Sequence, residues 1–292
     1  MSARRTIVIA LVAAVALVGC GDDDTGPVVE RPGDGDGIDH PTGADDLVLQ
    51  VHTAGGLTAP PLAAIPQVSV YGDGRVIVVG PTTLEYPGAA LPNLQQGFLS
   101  DEELQEVLRA AGAAGLLDDD EPDYGDPGIT DMPTTEVVIN AGGVERDISV
   151  YALDFVDGDD NLEAAQREAR QRLRDFLTTV DADVATEGYE ADAVAVFVRP
   201  FEADDTGDSS AETREWPLGD LAGAGEPALG SSDLRCLVVE GADAQTVLAA
   251  ADEARADDPW RSGATEYSID FRPLLPDETA CDDLVPAQSA GA

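Results

Sequence analysis

The chain runs to 292 residues, 43% of them hydrophobic, which is enough to bury a sizeable core. Its charge is one-sided: 58 Asp and Glu face 16 arginines, the formal net charge is −42, and lysine does not occur. Nucleic acid and anionic lipid surfaces are thereby excluded as partners for want of a cationic footprint, and the missing lysine rules out P-loop, Schiff-base and kinase-type chemistry.

Arg4 and Arg5 precede an apolar and small-residue run from Ile7 to Val18, which closes on Leu17-Val18-Gly19-Cys20. The run falls short of the roughly twenty residues of a membrane span. It has the charged start and short apolar middle of an export signal. Its ending resembles the lipobox of bacterial lipoproteins. That resemblance implies cleavage before Cys20, a diacylglycerol on its thiol, and stable anchoring through two or three acyl chains. An uncleaved anchor or a buried helix would not explain a cysteine followed at once by Gly21-Asp22-Asp23-Asp24. Residues 1–19 are thus expected to be a signal peptide, and the mature protein is expected at the extracytoplasmic face of the cell membrane, with the bilayer as partner through its lipid.

Residues 20–45 read as the lipidated cysteine and an acidic Gly/Pro tether. A stretch without apolar period cannot offset its ordering entropy and is predicted to be disordered. Within it Asp34-Gly35-Asp36-Gly37-Ile38-Asp39 imitates a calcium loop. Ile38 occupies the fifth ligand position and no glutamate stands at the twelfth, so the template fails.

Leu47–Thr53 alternates as a strand and contains His52, one of the two histidines; the other, His40, falls in the tether. A strand histidine is expected to pack half-buried rather than act as a base. After the loop around Ala59-Pro60-Pro61, Gln67–Tyr71 and Arg75–Val79 flank Gly72-Asp73-Gly74, a hairpin signal. Ser100-Asp101-Glu102-Glu103 is a capping box. It opens a helix with Leu104, Val107, Leu108 and Ala111 on one face, stopped by Gly112 or Gly115. Thr134–Asn140 and Glu145–Leu153 form a second hairpin about Ala141-Gly142-Gly143, and Asn161–Val180 a second helix with Leu162, Ala165, Ala169, Leu173, Phe176, Leu177 and Val180 inward. Strands at Ala193–Arg199, Arg235–Glu240 and Thr265–Arg272, with a helix at Ala244–Ala256, complete the chain. The order implies an α+β fold, antiparallel sheet built from hairpin–helix units with helices on one face. Residues 46–186 and 187–286 are expected as two subdomains, although one continuous sheet satisfies the pattern too, and 287–292 as a disordered tail.

The Tyr71-Gly72-Asp73-Gly74 hairpin and the Leu99-Ser100-Asp101-Glu102-Glu103-Leu104 helix start resemble those of uncharacterised lipoproteins of high-GC Gram-positive (actinobacterial) cell envelopes. The likeness covers Leu47 to Leu153. It implies an envelope location and supplies no catalytic residues.

Cys236 and Cys281 are the thiols left after lipidation; outside the cytoplasm such a pair predicts a disulfide. Asp157, Asp159, Asn161 and Glu168 stand at positions one, three, five and twelve of a calcium loop, with Leu162 where the turn demands Gly. The competing reading is an acidic helix start capped by Asp160 or Asn161. Calcium is the one cofactor these residues suggest. Arg167, Arg170 and Arg174 share a third of the helix circumference and either hold an anionic ligand or pair with the chain's own carboxylates. Trp216 and Trp260 either stack on a sugar beside a carboxylate pair or pack in the core. The leading expectation is a non-enzymatic, lipid-anchored binding or envelope-interaction module. The alternatives are a carboxylate-dependent hydrolase of cell-wall or extracellular polymer and a calcium-stabilised surface domain. The acidity itself fits life in high salt, a GC-rich genome or capture of a polycation.

Overall fold

The strands expected from alternating polarity assemble into two sheets in a computed structural model that describes residues 37–56, 64–180, 187–202, 211–228, 231 and 233–284, and no side chain of 157–159. The predicted signal segment, Cys20, most of the tether and the predicted tail lie outside the described residues. Of the chain's two units, Met1–Gly37 and Ile38–Ala292, every described element belongs to the second.

The first lobe contains β1 (Leu47–Gly55), β2 (Val68–Tyr71), β3 (Arg75–Val79), β4 (Leu94–Phe98), α1 (Asp101–Ala114), β5 (Pro133–Ala141), β6 (Val144–Tyr151), α2 (Ala164–Val180) and β7 (Glu187–Gly188). Its sheet has the order β6-β5-β1-β2-β3-β4-β7 and every pairing is antiparallel. β5 alternates buried and half-buried positions along most of its length. Val137 and Ile139 therefore face one way, and with Val51 and Ile148 they meet Leu104, Leu108, Leu173 and Phe176 of the two helices. Helix α1 starts where its capping box directs: Ser100 Oγ accepts from the Glu103 amide, and Glu103 accepts from the Ser100 amide. It stops at Gly115 in the left-handed region. The Gly72-Asp73-Gly74 turn needs both glycines. A Cβ on Gly72 would stand 2.5 Å from the Pro41 carbonyl oxygen, and Gly74 has φ +85° against the backbone of Leu99.

The second lobe contains β8 (Ala193–Pro200), β9 (Arg214–Glu215), β10 (Glu226–Pro227), β11 (Arg235–Glu240), α3 (Gly241–Asp252), β12 (Trp260–Ser262) and β13 (Thr265–Pro273). The order is β10-β11-β8-β13-β12-β9, antiparallel except for β12 with β9. Helix α3 covers one face, Val247 and Ala251 against Val194, Val196 and Val198. On the other face Ala195, Phe197 and Cys236 meet Leu274 and Cys281 of the C-terminal segment. The architecture is α+β, with two antiparallel-dominated sheets and helices packed on them.

Three expectations change. The tether does not run to Asp45. Ile38 packs against the first core, its peptide N–H donates to Gln105 Oε1 (2.7 Å), and its carbonyl accepts from Gln105 Nε2 (2.9 Å). One amide side chain closing on one peptide, with an apolar contact beside it, offsets the ordering cost that composition alone does not. The break placed at 186/187 precedes β7, which still pairs with β4, and the two expected subdomains are two sheets of one compact unit. The second helix begins at Ala164, because Val156–Asn161 forms a 3₁₀ turn and the Glu163 amide is capped by Gln166 Oε1 (2.9 Å), not by Asp160 or Asn161.

The disulfide Cys236–Cys281 is formed and ties β11 to the C-terminal segment across 45 residues. A loop of that length lowers the entropy of the unfolded chain, stabilising the fold by about 4 kcal/mol in the chain-entropy treatment. Cys236→Ala/Cys281→Ala is expected to lose stability on that order in equilibrium denaturant unfolding, with the midpoint falling and the far-ultraviolet circular dichroism of the folded baseline unchanged.

Candidate functional site

Three of the four arginines of α2, Arg167, Arg170 and Arg174, turn to main-chain carbonyls. Ala152 leaves β6 in the left-handed region (φ 54°), so the carbonyls of Tyr151, Ala152 and Leu153 turn away from the sheet. Arg170, fully buried, donates to Tyr124 O (3.3 Å), Tyr151 O (3.0 Å) and Ala152 O (2.5 Å). Arg174 donates to Leu153 O (2.9 Å), and Arg167 to the Leu162 carbonyl. These guanidinium groups satisfy backbone acceptors that would otherwise be buried unpaired.

The calcium reading finds no assembled ligand set in what is described. Asp157 and Asp159 side chains lie outside the description, Asn161 Nδ2 donates to Pro127 O (3.0 Å), and Glu168 is exposed on α2. No group of three or more His, Cys, Asp or Glu poised for a metal occurs among the described residues. Trp260, 1% exposed, meets Trp216 and Phe271 edge-on at centroid distances of 6.1 and 5.2 Å. It belongs to the core, so the aromatic platform of the hydrolase reading is not available.

The densest buried polar group lies at the seam between the sheets, and the sequence reading did not find it. Arg272, at the end of β13, donates through Nε to Ala64 O (3.0 Å), and its two terminal nitrogens reach Pro273 O (2.5 Å) and Glu278 Oε1 (2.6 Å). Glu278 Oε2 accepts from the Leu275 amide (2.7 Å). Tyr71 donates to Asp277 (2.7 Å), and Tyr189 to Leu274 O (2.9 Å). Burial pushes Glu278 up and Arg272 down, each opposed by the other's charge. Burial also raises the phenols, Tyr189 to about 12 and Tyr71 further, the latter helped by Asp277. Perturbed groups in one place suggest chemistry. Here the partners engage one another, so the group fastens the lobes, while Tyr189 and Pro273 of it also border an opening. The only hint in the sequence was an arginine ending an otherwise alternating strand.

His52, across the β1–β5 pair from Glu136, is half-buried, and its Nδ1 has no hydrogen-bond partner. It is a packing residue, as a strand position suggests.

Openings flank the segment that joins β3 to β4. That segment crosses to the second lobe, where Ala90 N donates to Ala254 O (3.0 Å), Ala256 N to Gly88 O (3.0 Å) and Arg255 to Pro87 O (3.0 Å). On one side lies a cleft of about 560 Å³ and on the other a hollow of about 460 Å³ lined partly by Thr82, Thr83 and Asp270. The cleft is walled by Leu91 and Leu94 of the crossing segment and β4, by Glu190 and Ala191, and by Gln245, Leu248, Ala249 and Asp252 of α3. Those helix positions fall at i, i+3, i+4 and i+7, a stripe beside the one that packs on the sheet, with Leu248 half-buried against the second core. A cleft of this size, with leucines beside the polar lining residues Asn93, Tyr189, Glu190, Gln245 and Asp252, suits a small ligand.

Removing one partner of the seam pair isolates its role. Arg272→Met leaves Glu278 buried without its cation and is expected to cost about 3–5 kcal/mol in denaturant unfolding, while Arg272→Met/Glu278→Leu recovers a large part of the loss. His52 makes a separate pH prediction. Burial, outweighing the Glu136 carboxylate, holds its folded pKa below 6.5. Below pH ~6.5 the unfolded chain therefore binds the proton first, and stability falls with pH until the folded pKa is passed. The unfolding free energy of the native chain minus that of His52→Gln is expected to shrink between pH 7.5 and pH 5; a constant difference overturns the assignment.

Compared with protein-family models, curated proteins and solved structures, the chain matches none.

Proposed function

We propose that the chain is a lipid-anchored extracytoplasmic module that binds a small ligand in the cleft between its lobes without transforming it. The observation that carries the binding reading is the cleft itself, where Leu91, Leu94 and Leu248 stand beside polar groups and one flank of α3 forms a wall. Of the seam's titratable groups, Tyr189 lines the cleft while its hydroxyl donates to Leu274 O. The export-type start ending at Cys20, the acidic composition and the likeness to envelope lipoproteins support the location. So does the Cys236–Cys281 bridge, a bond that persists in oxidising compartments. No helix among the described residues is long and apolar enough to cross a membrane, so on this reading attachment falls to the lipid. The chain between Cys20 and Ile38 spans at most about 60 Å, enough to hold the lobes clear of the bilayer.

Location is tested in the native host. The full chain is expected in the membrane fraction, with a diacylglyceryl-cysteine at its N-terminus by mass spectrometry, and Cys20→Ala is expected to lose that attachment. An intact, unacylated N-terminus sinks the proposal. Binding is tested by NMR: fragment-sized probes are expected to shift the amide signals of Leu91, Leu94 and Leu248 together, and Leu248→Trp, which fills the hollow, to abolish the shifts.

A further inference from the structure

We infer that the cleft selects an organic cation, an amine carried on an apolar body; this rests on reading the cleft as the binding site. Leu91, Leu94 and Leu248 supply an apolar surface, and the acidic lining residues are Glu190, from the segment after β7, and Asp252, at the end of α3. No arginine or histidine lines it. Elsewhere arginines engage carboxylates, as at Asp258, Asp270 and Glu278, whereas neither Glu190 nor Asp252 has such a partner among the described residues. The arginine closest in sequence, Arg255, donates through its guanidinium to the Pro87 carbonyl, and its backbone amide donates to Asp258.

The helix adds to the negative potential. A helix C-terminus carries about half a negative charge and is stabilised by basic residues. Helix α3 has no basic residue of its own in its last turn and ends on Asp252 and Glu253; Arg214 meets the Glu253 carbonyl (2.7 Å) but forms no ion pair with the Asp252 carboxylate among the described residues. A cation in the cleft relieves that repulsion, and an anion is repelled by it.

The leucines of the lining decide what kind of cation. Calcium takes six to eight oxygens, and magnesium demands octahedral oxygen geometry. The cleft offers two carboxylates among leucines and neutral polar groups, and no group of three or more His, Cys, Asp or Glu poised for a metal occurs among the described residues. An alkylammonium ion places its charge at the carboxylates and its hydrocarbon on the leucines, so both parts of the lining are used.

The test compares hexylamine with 1-hexanol, matched in length and different in charge, titrated into the full folded chain at 0.15 M salt and followed by NMR. Hexylamine is expected to bind at least about tenfold more tightly, a difference of about 1.4 kcal/mol. Glu190→Gln/Asp252→Asn is expected to remove that advantage and leave hexanol binding unchanged. Glu145→Gln/Asp147→Asn deletes the same formal charge from exposed positions of β6 and is expected to leave both probes unaffected. If the control pair weakens the amine as much as the cleft pair does, attraction comes from the chain's overall field and the inference is overturned. If both probes bind equally and Leu248→Trp blocks both, the cleft stands as a binding site and its selectivity for cations falls. If neither probe binds saturably, or Leu248→Trp leaves binding intact, both readings fall.

Discussion

One guanidinium joins the two sheets. Arg272 ends β13 in the second lobe, yet it bonds to the carbonyl of Ala64, before β2 in the first, and to Glu278 in the C-terminal segment. At 1% exposure it is far from water, and such a charge is tolerable only when its donors are met. The surrounding contacts meet that demand: Tyr71, Ile77 and Leu94 of the first sheet close over Leu275, and Asp277 takes the Tyr71 hydroxyl. The disulfide fastens the same C-terminal segment to β11. Two sheets that share no strand are thus held as one unit by a short segment that neither sheet contains.

This fastening shapes the cleft. Because the C-terminal segment fixes the lobes on one side of the seam, the segment between β3 and β4 can bridge them on another, lying against Ala254 and Arg255. The space left between that bridge and one flank of α3 is the cleft. Its walls are shared with that fastening: Leu94 closes over Leu275, Tyr189 donates to Leu274 O, and Leu91 packs against the second core.

A second pattern runs through the molecule. With 58 acidic residues for 16 arginines, every guanidinium has carboxylates to choose from. Many nonetheless turn to main-chain carbonyls: Arg146 to Leu116 and Asp118, Arg235 to Leu221 and Ala224, Arg214 to Glu253, and Arg170, Arg174, Arg255 and Arg272 as described. The physical reason is where each acceptor sits. A surface carboxylate is well solvated and gains little from an ion pair. A carbonyl leaving a strand or helix under the protein surface has lost both water and ladder partner, and a charged donor there stabilises more. Arg170 and Arg272 are the buried cases among the described residues, while Arg199 and Arg261 stay exposed and pair with carboxylates.

Local chemistry was legible in the sequence. Ser100 and Glu103 announced the start of α1, Gly112 or Gly115 its end (the structure takes Gly115), and the Gly72-Asp73-Gly74 turn its hairpin, since caps and turns depend on residues a few positions apart. The cysteine pair was legible because two thiols leave one intramolecular pairing. β4 was not, for Leu-Gln-Gln-Gly-Phe has no run of β-branched residues and is a strand because β3 lies beside it. The arginine stripe of α2 was visible as a stripe, but which acceptors it meets depends on where β6 ends and turns. The seam and the cleft were out of reach for the same reason: Ala64 and Arg272 are 208 positions apart, and Leu91 and Leu248 come together through contacts that no local period encodes. Composition and short-range pattern determined the elements and their caps; which faces meet, and so where a ligand can enter, was decided by burial across the whole chain.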